Sequence, residues 1–279
     1  MASELVYNRG ECMTLHVLIP CSKTKEYTPS EELIWSSKKE LKYWTKTWND
    51  STLKKPASVM YTGRLVQKQI KFCLENENVK LYIISAGGGL IYPVSKEIPA
   101  YEATFLEGAG PSAKDWHLLP EGGLDKIDLS EGDKIVTFAP PAYHRVLLHD
   151  PLFPDLAPYF VVGSHSVLAK AAGSVCKVHE RTKEILKTSS RDMNSELLNQ
   201  FLQKGENGLK EIYSNYLVLP VKKKRRKVDD EELYNVVLNS PKEIHKSTTE
   251  MVKYIRHECN ISAIDTRIRE ALLKVREAK

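Results

Sequence analysis

The sequence of 279 residues lacks several features that would assign it to a familiar class. No apolar run reaches the roughly 20 residues that a membrane-crossing helix needs, and a basic segment followed by an apolar core is missing from the first residues. The five cysteines are odd in number and scattered, without a C-x-x-C pair, which argues against a disulfide framework and a zinc site. We therefore expect a cytoplasmic protein without membrane contact.

The common phosphate-binding loops are also missing. Three consecutive glycines lie in residues 85–90, directly after an apolar run, but neither the Gly-Lys-Ser/Thr of a Walker loop nor a G-x-G-x-x-G fingerprint is present. Glycine adopts unusual backbone angles and lets a ligand approach the main chain closely. We interpret this turn as part of a binding site, with a flexible tight turn as the alternative.

What the chain has is a modest excess of positive charge, concentrated in one place. The net charge is +5, and residues 222–227 are six cations in a row, followed by acidic residues at 229–232. Three interpretations stay open, namely a solvated linker, a nuclear-import signal, and phosphate contacts next to a nucleic-acid site. The candidates for such contacts are Lys222, Lys223, Lys224, Arg225 and Arg226.

Short apolar runs that alternate with helical patterns predict an α/β domain. Residues 15–19, 57–61, 79–84, 134–138 and 159–162 read as strands. Helices are predicted over 62–74, 141–149, 167–172 and 193–204, a surface loop over 106–133, and a last edge strand over 216–220. This alternation implies right-handed crossovers and a three-layer fold with a mainly parallel sheet.

The pattern changes to helices alone after residue 228. Residues 230–238, 241–257 and 262–275 each carry apolar residues at helical spacing. We therefore divide the chain into a catalytic domain at 1–220 and a small helical segment at 221–279. That segment is either a helix-turn-helix-like DNA-binding domain or a helical cap on the main domain.

Polar segments follow four of the predicted strands, at residues 21–27, 85–89, 143–145 and 164–166. The carboxyl ends of parallel strands share one edge of a sheet, and ligands usually bind there. The first segment holds a thiol, hydroxyls, ammonium groups and a phenol, a density of reactive side chains that a plain turn does not need. We expect these segments to form an active site.

Parts of the chain resemble proteins that act on nucleobases. Pro20, Cys21, Lys25, Tyr27 and Ser30 resemble the P-C-x3-K-P-Y-x2-S motif of the archaeosine synthase catalytic core, with Glu26 where that family has proline. Residues 84–91 and 99–102 are similar to a second segment of that core, and the first loop resembles uncharacterised bacterial and phage proteins with a "CSKTK" opening. Residues 163–166 are placed like the His-containing loop of uracil-DNA glycosylases. The resemblance covers roughly residues 14–170.

The resemblance implies a uracil-DNA-glycosylase-like fold and an enzyme directed at nucleobases. Our leading hypothesis is a DNA glycosylase that removes a modified base, such as hydroxymethylated or glucosylated cytosine of phage DNA, as an antiviral defence. It would leave an abasic site and need no metal or cofactor. One alternative is transfer of an amine such as lysine to a deazaguanine in tRNA. Another is a non-catalytic reader of modified nucleic acid.

Glu102 and His165 are the catalytic candidates. Breaking a glycosidic bond builds positive charge on the sugar, which a fixed carboxylate such as Glu102 stabilises while it orients a water. His165 can donate to the departing base or hold a phosphate. The alternatives are an exposed loop glutamate and a hydrogen-bonded structural histidine.

The remaining candidates follow from the same hypothesis. Lys23 and Lys25 suit phosphates or polar base substituents, Tyr27 and Tyr101 suit stacking on a base, and Cys21 is either an activated nucleophile or a half-buried structural thiol. The full substrate-binding set adds hydroxyl, glycine and tyrosine positions, namely Ser22, Ser85, Gly87, Gly88, Tyr143 and Ser164. Arg64 and Arg145 are candidates for contact with backbone phosphates.

Overall fold

A computed structural model describes residues 13–92, 94–156, 159–163, 175–178, 181–217 and 225–278. The strands are β1 (Leu15–Pro20), β2 (Lys54–Pro56), β3 (Val79–Ser85), β4 (Gly89–Ile91), β5 (Glu97–Pro99), β6 (Lys134–Thr137), β7 (Tyr159–Gly163) and β8 (Val175–Val178). The helices are α1 (Leu41–Asp50), α2 (Ala57–Met60), α3 (Arg64–Leu74), α4 (Pro141–Leu148), α5 (Phe153–Leu156), α6 (Thr182–Ile185), α7 (Met193–Leu217), α8 (Asp230–Leu238), α9 (Thr248–Lys253) and α10 (Asp265–Glu277).

A six-stranded mixed sheet organises the larger part of the chain. Its order is β4-β3-β1-β6-β7-β8, and every pairing except the β3–β4 hairpin is parallel. β1 lies in the middle, with Val17, Leu18 and Ile19 fully buried. A short antiparallel pair, β2 and β5, forms a separate sheet. The predicted α/β class with a mainly parallel sheet is confirmed, and the arrangement is compatible with three layers.

The strand order creates a switch point beside β1. The chain runs from β1 to β3 on one side of it and later returns through β6 on the other. Crossovers on opposite sides leave a crevice beyond the carboxyl ends of the two central strands, β1 and β6. The loops that follow Pro20 and Thr137 therefore border this crevice.

Residues 57–61 were predicted as a strand, and this prediction is wrong. Residues 57–60 form the short helix α2 and Tyr61 caps its end; Ala57, Met60 and Tyr61 are fully buried while Val59 is 46% exposed. Burial at positions i, i+3 and i+4 is the helical spacing, whereas a strand would have buried alternate residues. The run of apolar letters alone does not distinguish the two patterns.

Other segments also depart from the predictions. Residues 106–133 are more than a surface loop, since they contain 3-10 helices at Ala113–Leu118 and Leu124–Lys126 that bury Trp116 and Leu124 completely. Helix α7 continues through Leu217, so the predicted edge strand over 216–220 is wrong at its first two residues. The rest of that strand and the predicted helix over 167–172 lie outside the described residues.

The chain divides into two compact units between Val218 and Leu219. The second unit contains α8, α9 and α10 with a 3-10 helix at Lys242–Lys246 and a π-helix at Tyr254–Glu258. Its own core of buried side chains includes Leu233, Val237, Met251, Ile255 and Ile268. Among the described residues, none of the helices combines the length and apolar character that a membrane span needs.

Candidate functional site

The loop after β1 lies at the centre of two cavities in the first unit. Cys21, Ser22 and Lys23 line both of them, together with Tyr143 from the first turn of α4. The Cys21 Sγ atom is 3.5 Å from the Tyr143 hydroxyl, so the polar segments after β1 and β6 meet at the switch point as expected. Burial raises the pKa of Tyr143, which keeps its phenol protonated at neutral pH.

The larger cavity has a volume of about 580 Å³. Its wall combines the β1 loop with the first turns of α3, α4 and α7. The members not named above are Pro20, Thr24, Gly63, Arg64, Leu65, Val66, Gln69, Pro140, Arg191, Asn194 and Ser195.

The smaller cavity has a volume of about 200 Å³ and a more apolar wall. Its further members are Ala103, Thr104, Phe105, Leu106 and Ala142. The Phe105 ring packs edge-on against the Tyr143 ring, with their centroids 4.8 Å apart. This pair makes an aromatic wall beside the Cys21 thiol.

Lys25 supports the β1 loop from within. Its Nζ atom donates to the carbonyl oxygens of Ser22 at 3.0 Å and Lys23 at 3.3 Å, and lies 4.1 Å from the centre of the Tyr101 ring. Burial lowers the pKa of Lys25, although it is attracted to Cys21 and Glu102. Lys25 is absent from the walls of both cavities, so its contacts hold the loop in shape.

The glycine turn is packed against aromatic rings and is buried. A Cβ atom at Gly87 would lie 2.5 Å from the Tyr101 ring, and one at Gly88 would lie 2.7 Å from the Trp48 ring. The Trp44 indole donates to the Gly87 carbonyl at 2.7 Å. Glycine is therefore required here for close packing of aromatic side chains.

A chain of buried hydroxyls joins this turn to Tyr61, the residue that follows α2. The Tyr101 hydroxyl lies 2.6 Å from Ser85 Oγ and 2.9 Å from the Tyr61 hydroxyl, and the Gly88 amide donates to Ser85 Oγ at 2.8 Å. Burial raises the pKa of Tyr61 and Tyr101. The candidates Ser85, Gly87, Gly88 and Tyr101 lie in this network, away from the cavity walls.

Glu102 is exposed and precedes a residue of the smaller cavity, but it is not itself part of either cavity wall. Its backbone is hydrogen-bonded to residues 33–35, with its amide donating to the Leu33 carbonyl and its carbonyl accepting from the Trp35 amide, each at 2.8 Å. The Glu102 carboxylate makes no hydrogen bond to any described residue, and the next residue, Ala103, lines the cavity. The backbone is thus fixed while the carboxylate is available.

The other candidates divide into three groups. Tyr27 is half-buried beneath the Lys55 ammonium, 4.8 Å from its ring centre, and lies outside both cavity walls. Arg64 lines the larger cavity but forms an ion pair with Asp192 at 2.8 Å. Arg145 is exposed on α4 and is not part of either wall. Ser164 and His165 lie outside the described residues.

Of the basic run, Lys222, Lys223 and Lys224 also lie outside the described residues. Arg225 is exposed, and Arg226 belongs to the second unit. Its backbone bonds to Asn260 and Ser262, and its guanidinium pairs with Glu232. The Arg226 side chain is therefore used within that unit.

The sequence reasoning missed Phe105, Arg191 and Ser195. Most of the first unit's sequence separates Arg191 and Ser195 from the β1 loop, and the packing of α7 against α3 brings them to the cavity. The one local signal was the helix start, where Ser189 Oγ accepts from the Asp192 amide at 3.1 Å.

Within the part of the chain that is described, no group of three or more His, Cys, Asp or Glu side chains could hold a metal ion. Comparison with known proteins gives no match, whether with protein-family models, curated proteins or solved structures.

Proposed function

We propose that this protein is a DNA glycosylase with a uracil-DNA-glycosylase-like α/β domain. It removes a modified base, such as hydroxymethylated or glucosylated cytosine of phage DNA, and leaves an abasic site. The observation that carries the proposal is the pair of cavities at the switch point, which share Cys21, Ser22, Lys23 and Tyr143. In this proposal one cavity holds the flipped base and the other the adjoining backbone.

The smaller cavity suits the base. A glycosylase must take its target nucleotide out of the stack and hold the flipped base between aromatic and apolar side chains. Phe105, Tyr143, Ala103 and Leu106 supply such walls. The Tyr143 hydroxyl and the Ser22 and Lys23 side chains lie at the border with the larger cavity and can recognise polar substituents of the base.

Glu102 supplies the chemistry. As the C1′–N bond breaks, positive charge grows on the sugar and the bonding electrons leave with the base, which takes up a proton. In this proposal the carboxylate of Glu102, which directly precedes the cavity residue Ala103, stabilises this charge and orients the water whose oxygen bonds to C1′. The Glu102 carboxylate makes no hydrogen bond to any described residue, so it is available for that water.

The test is mass spectrometry of bases released from DNA incubated with the purified protein. Plain duplex DNA is compared with phage DNA carrying hydroxymethylated or glucosylated cytosine, and abasic sites are counted in parallel. Glu102→Gln should reduce base release by on the order of 100-fold, because the amide carries no charge, while DNA binding persists. Glu131→Gln is the matched control, since Glu131 is exposed near the start of β6, at the opposite edge of the sheet.

The other possible results of this assay contradict the proposal or favour one of the alternatives. Release that is equal in E102Q and the parent protein contradicts the role of Glu102. No release from any DNA contradicts the glycosylase proposal and directs the assay to tRNA with labelled lysine, which tests the transferase alternative. Selective binding of modified DNA without either reaction would identify a reader.

A further inference from the structure

Two long helices begin at the larger cavity. Residues 63–66, at the start of α3, and Arg191, Asn194 and Ser195, at the start of α7, line its wall. The first backbone amides of a helix have no partner within it, and the helix dipole places partial positive charge at the same end. Both helices therefore favour an anion in this cavity.

The cations of the cavity are not equivalent. Arg64 is paired with Asp192, and Lys68 with Glu196, which neutralises the two carboxylates near the start of α7. Lys23 and Arg191 are exposed in the cavity wall and make no ion pair with any described residue. Two free positive charges thus remain for a ligand.

A buried hydroxyl adds an observation independent of the helix ends. Ser195 lines the cavity, is only 2% exposed, and has no side-chain hydrogen bond to any described residue. Gln69, also 2% exposed, lines the same wall and makes one long hydrogen bond, 3.5 Å from its Nε2 atom to the Phe138 carbonyl. The Ser195 hydroxyl, which can both donate and accept, is therefore available to a ligand in this cavity.

We propose that the larger cavity binds a phosphate group of the nucleic-acid strand, with Arg191 and Ser195 as its principal side-chain contacts. The first amides of α3 and α7 and the Lys23 ammonium complete the site. This inference rests on the proposed function, since it places the backbone beside the base cavity. Under this proposal Arg191, and neither Arg64 nor Arg145, is the arginine that contacts the phosphate.

The test measures binding of a short single-stranded oligonucleotide, and separately of inorganic phosphate, to the full chain. Arg191→Gln should weaken oligonucleotide binding about tenfold and lower the slope of log affinity against log salt by about 1, because one charge contact is lost. Ser195→Ala should weaken binding without changing that slope. Arg145→Gln is the matched control and should change neither quantity.

The outcomes separate this site from the glycosylase proposal. If R191Q weakens oligonucleotide binding but no base is released from any DNA, the phosphate site is supported and the glycosylase proposal is contradicted. If the protein releases a base, the phosphate site is contradicted when R191Q and R145Q weaken oligonucleotide binding equally. It is also contradicted when neither variant weakens that binding. If the oligonucleotide does not bind, saturable inorganic phosphate binding that R191Q abolishes supports the site, and its absence refutes it. Arg191 is exposed, so its replacement leaves the core intact.

Discussion

His144 makes the free energy of unfolding depend on pH. It is the neighbour of Tyr143 in sequence, but its role is in stability. It is fully buried, and its Nε2 atom lies 2.8 Å from the Thr137 Oγ1 atom. Burial lowers the pKa of His144 from 6.5 to about 3. Between these values the unfolded chain binds a proton that the folded chain excludes, so the free energy of unfolding must fall as the pH is lowered.

We predict that this loss amounts to at most about 1.4 kcal/mol per pH unit below pH 6.5 for one such histidine. His144→Gln should flatten the pH dependence between about pH 4 and pH 6.5, because glutamine does not titrate. His149→Gln is the control, since His149 is exposed at the end of the same helix. Urea unfolding across this range measures the difference, and an equal slope in H144Q and the parent would contradict it.

The positions of individual side chains could be predicted from the sequence only where they follow directly from the order of the strands. Cys21, Ser22, Lys23 and Tyr143 follow parallel strands, so the common edge could be inferred. Lys25 is only two residues from Lys23, yet it turns inward against Tyr101. Which way a loop side chain points depends on distant packing, and no local pattern carries that information.

The helix α7 shows how one residue shapes an element. Sequence periodicity predicted only its first part, residues 193–204. The element continues to Leu217 with a bend at Gly205, where φ is +59° and ψ is −152°. These angles belong to a region that residues with a Cβ atom rarely adopt.

Gly205→Ala should therefore lower the free energy of unfolding by about 1–3 kcal/mol, since alanine is strained at these angles. The neighbouring exposed Asn207 provides the control, because alanine is the better helix former there. Thermal unfolding of G205A and N207A followed by circular dichroism makes the comparison. A G205A protein as stable as N207A would show that the bend is dispensable.

At the scale of the whole chain, the change from alternating strands and helices to helices alone predicted a boundary at residue 220. The structure divides into two compact units between Val218 and Leu219. The strand order was less accessible, since β4 and β8 are short and were not anticipated. Short strands are specified by their neighbours in the sheet as much as by their own residues.

Each unit has its own core, so we predict that the backbone amides of the two units lose their protection from hydrogen exchange separately. Ile255→Ala, at a fully buried position of the second unit, should destabilise that unit by about 2–5 kcal/mol. Hydrogen exchange should then quicken over α8–α10 and stay unchanged in β1 and β3. Ile83→Ala, fully buried in β3, should give the reverse pattern. Faster exchange throughout the chain in either variant would indicate one cooperative unit.

The aromatic packing around the glycine turn also determines where the intrinsic tryptophan fluorescence of the protein originates. All four tryptophans belong to the first unit, and Trp44 has its ring centre 5.1 Å from that of Trp35 and 6.5 Å from that of Trp48. Trp116 bonds to the Ser85 carbonyl on the same turn. Intrinsic tryptophan fluorescence therefore originates entirely in the first unit, from residues around this turn.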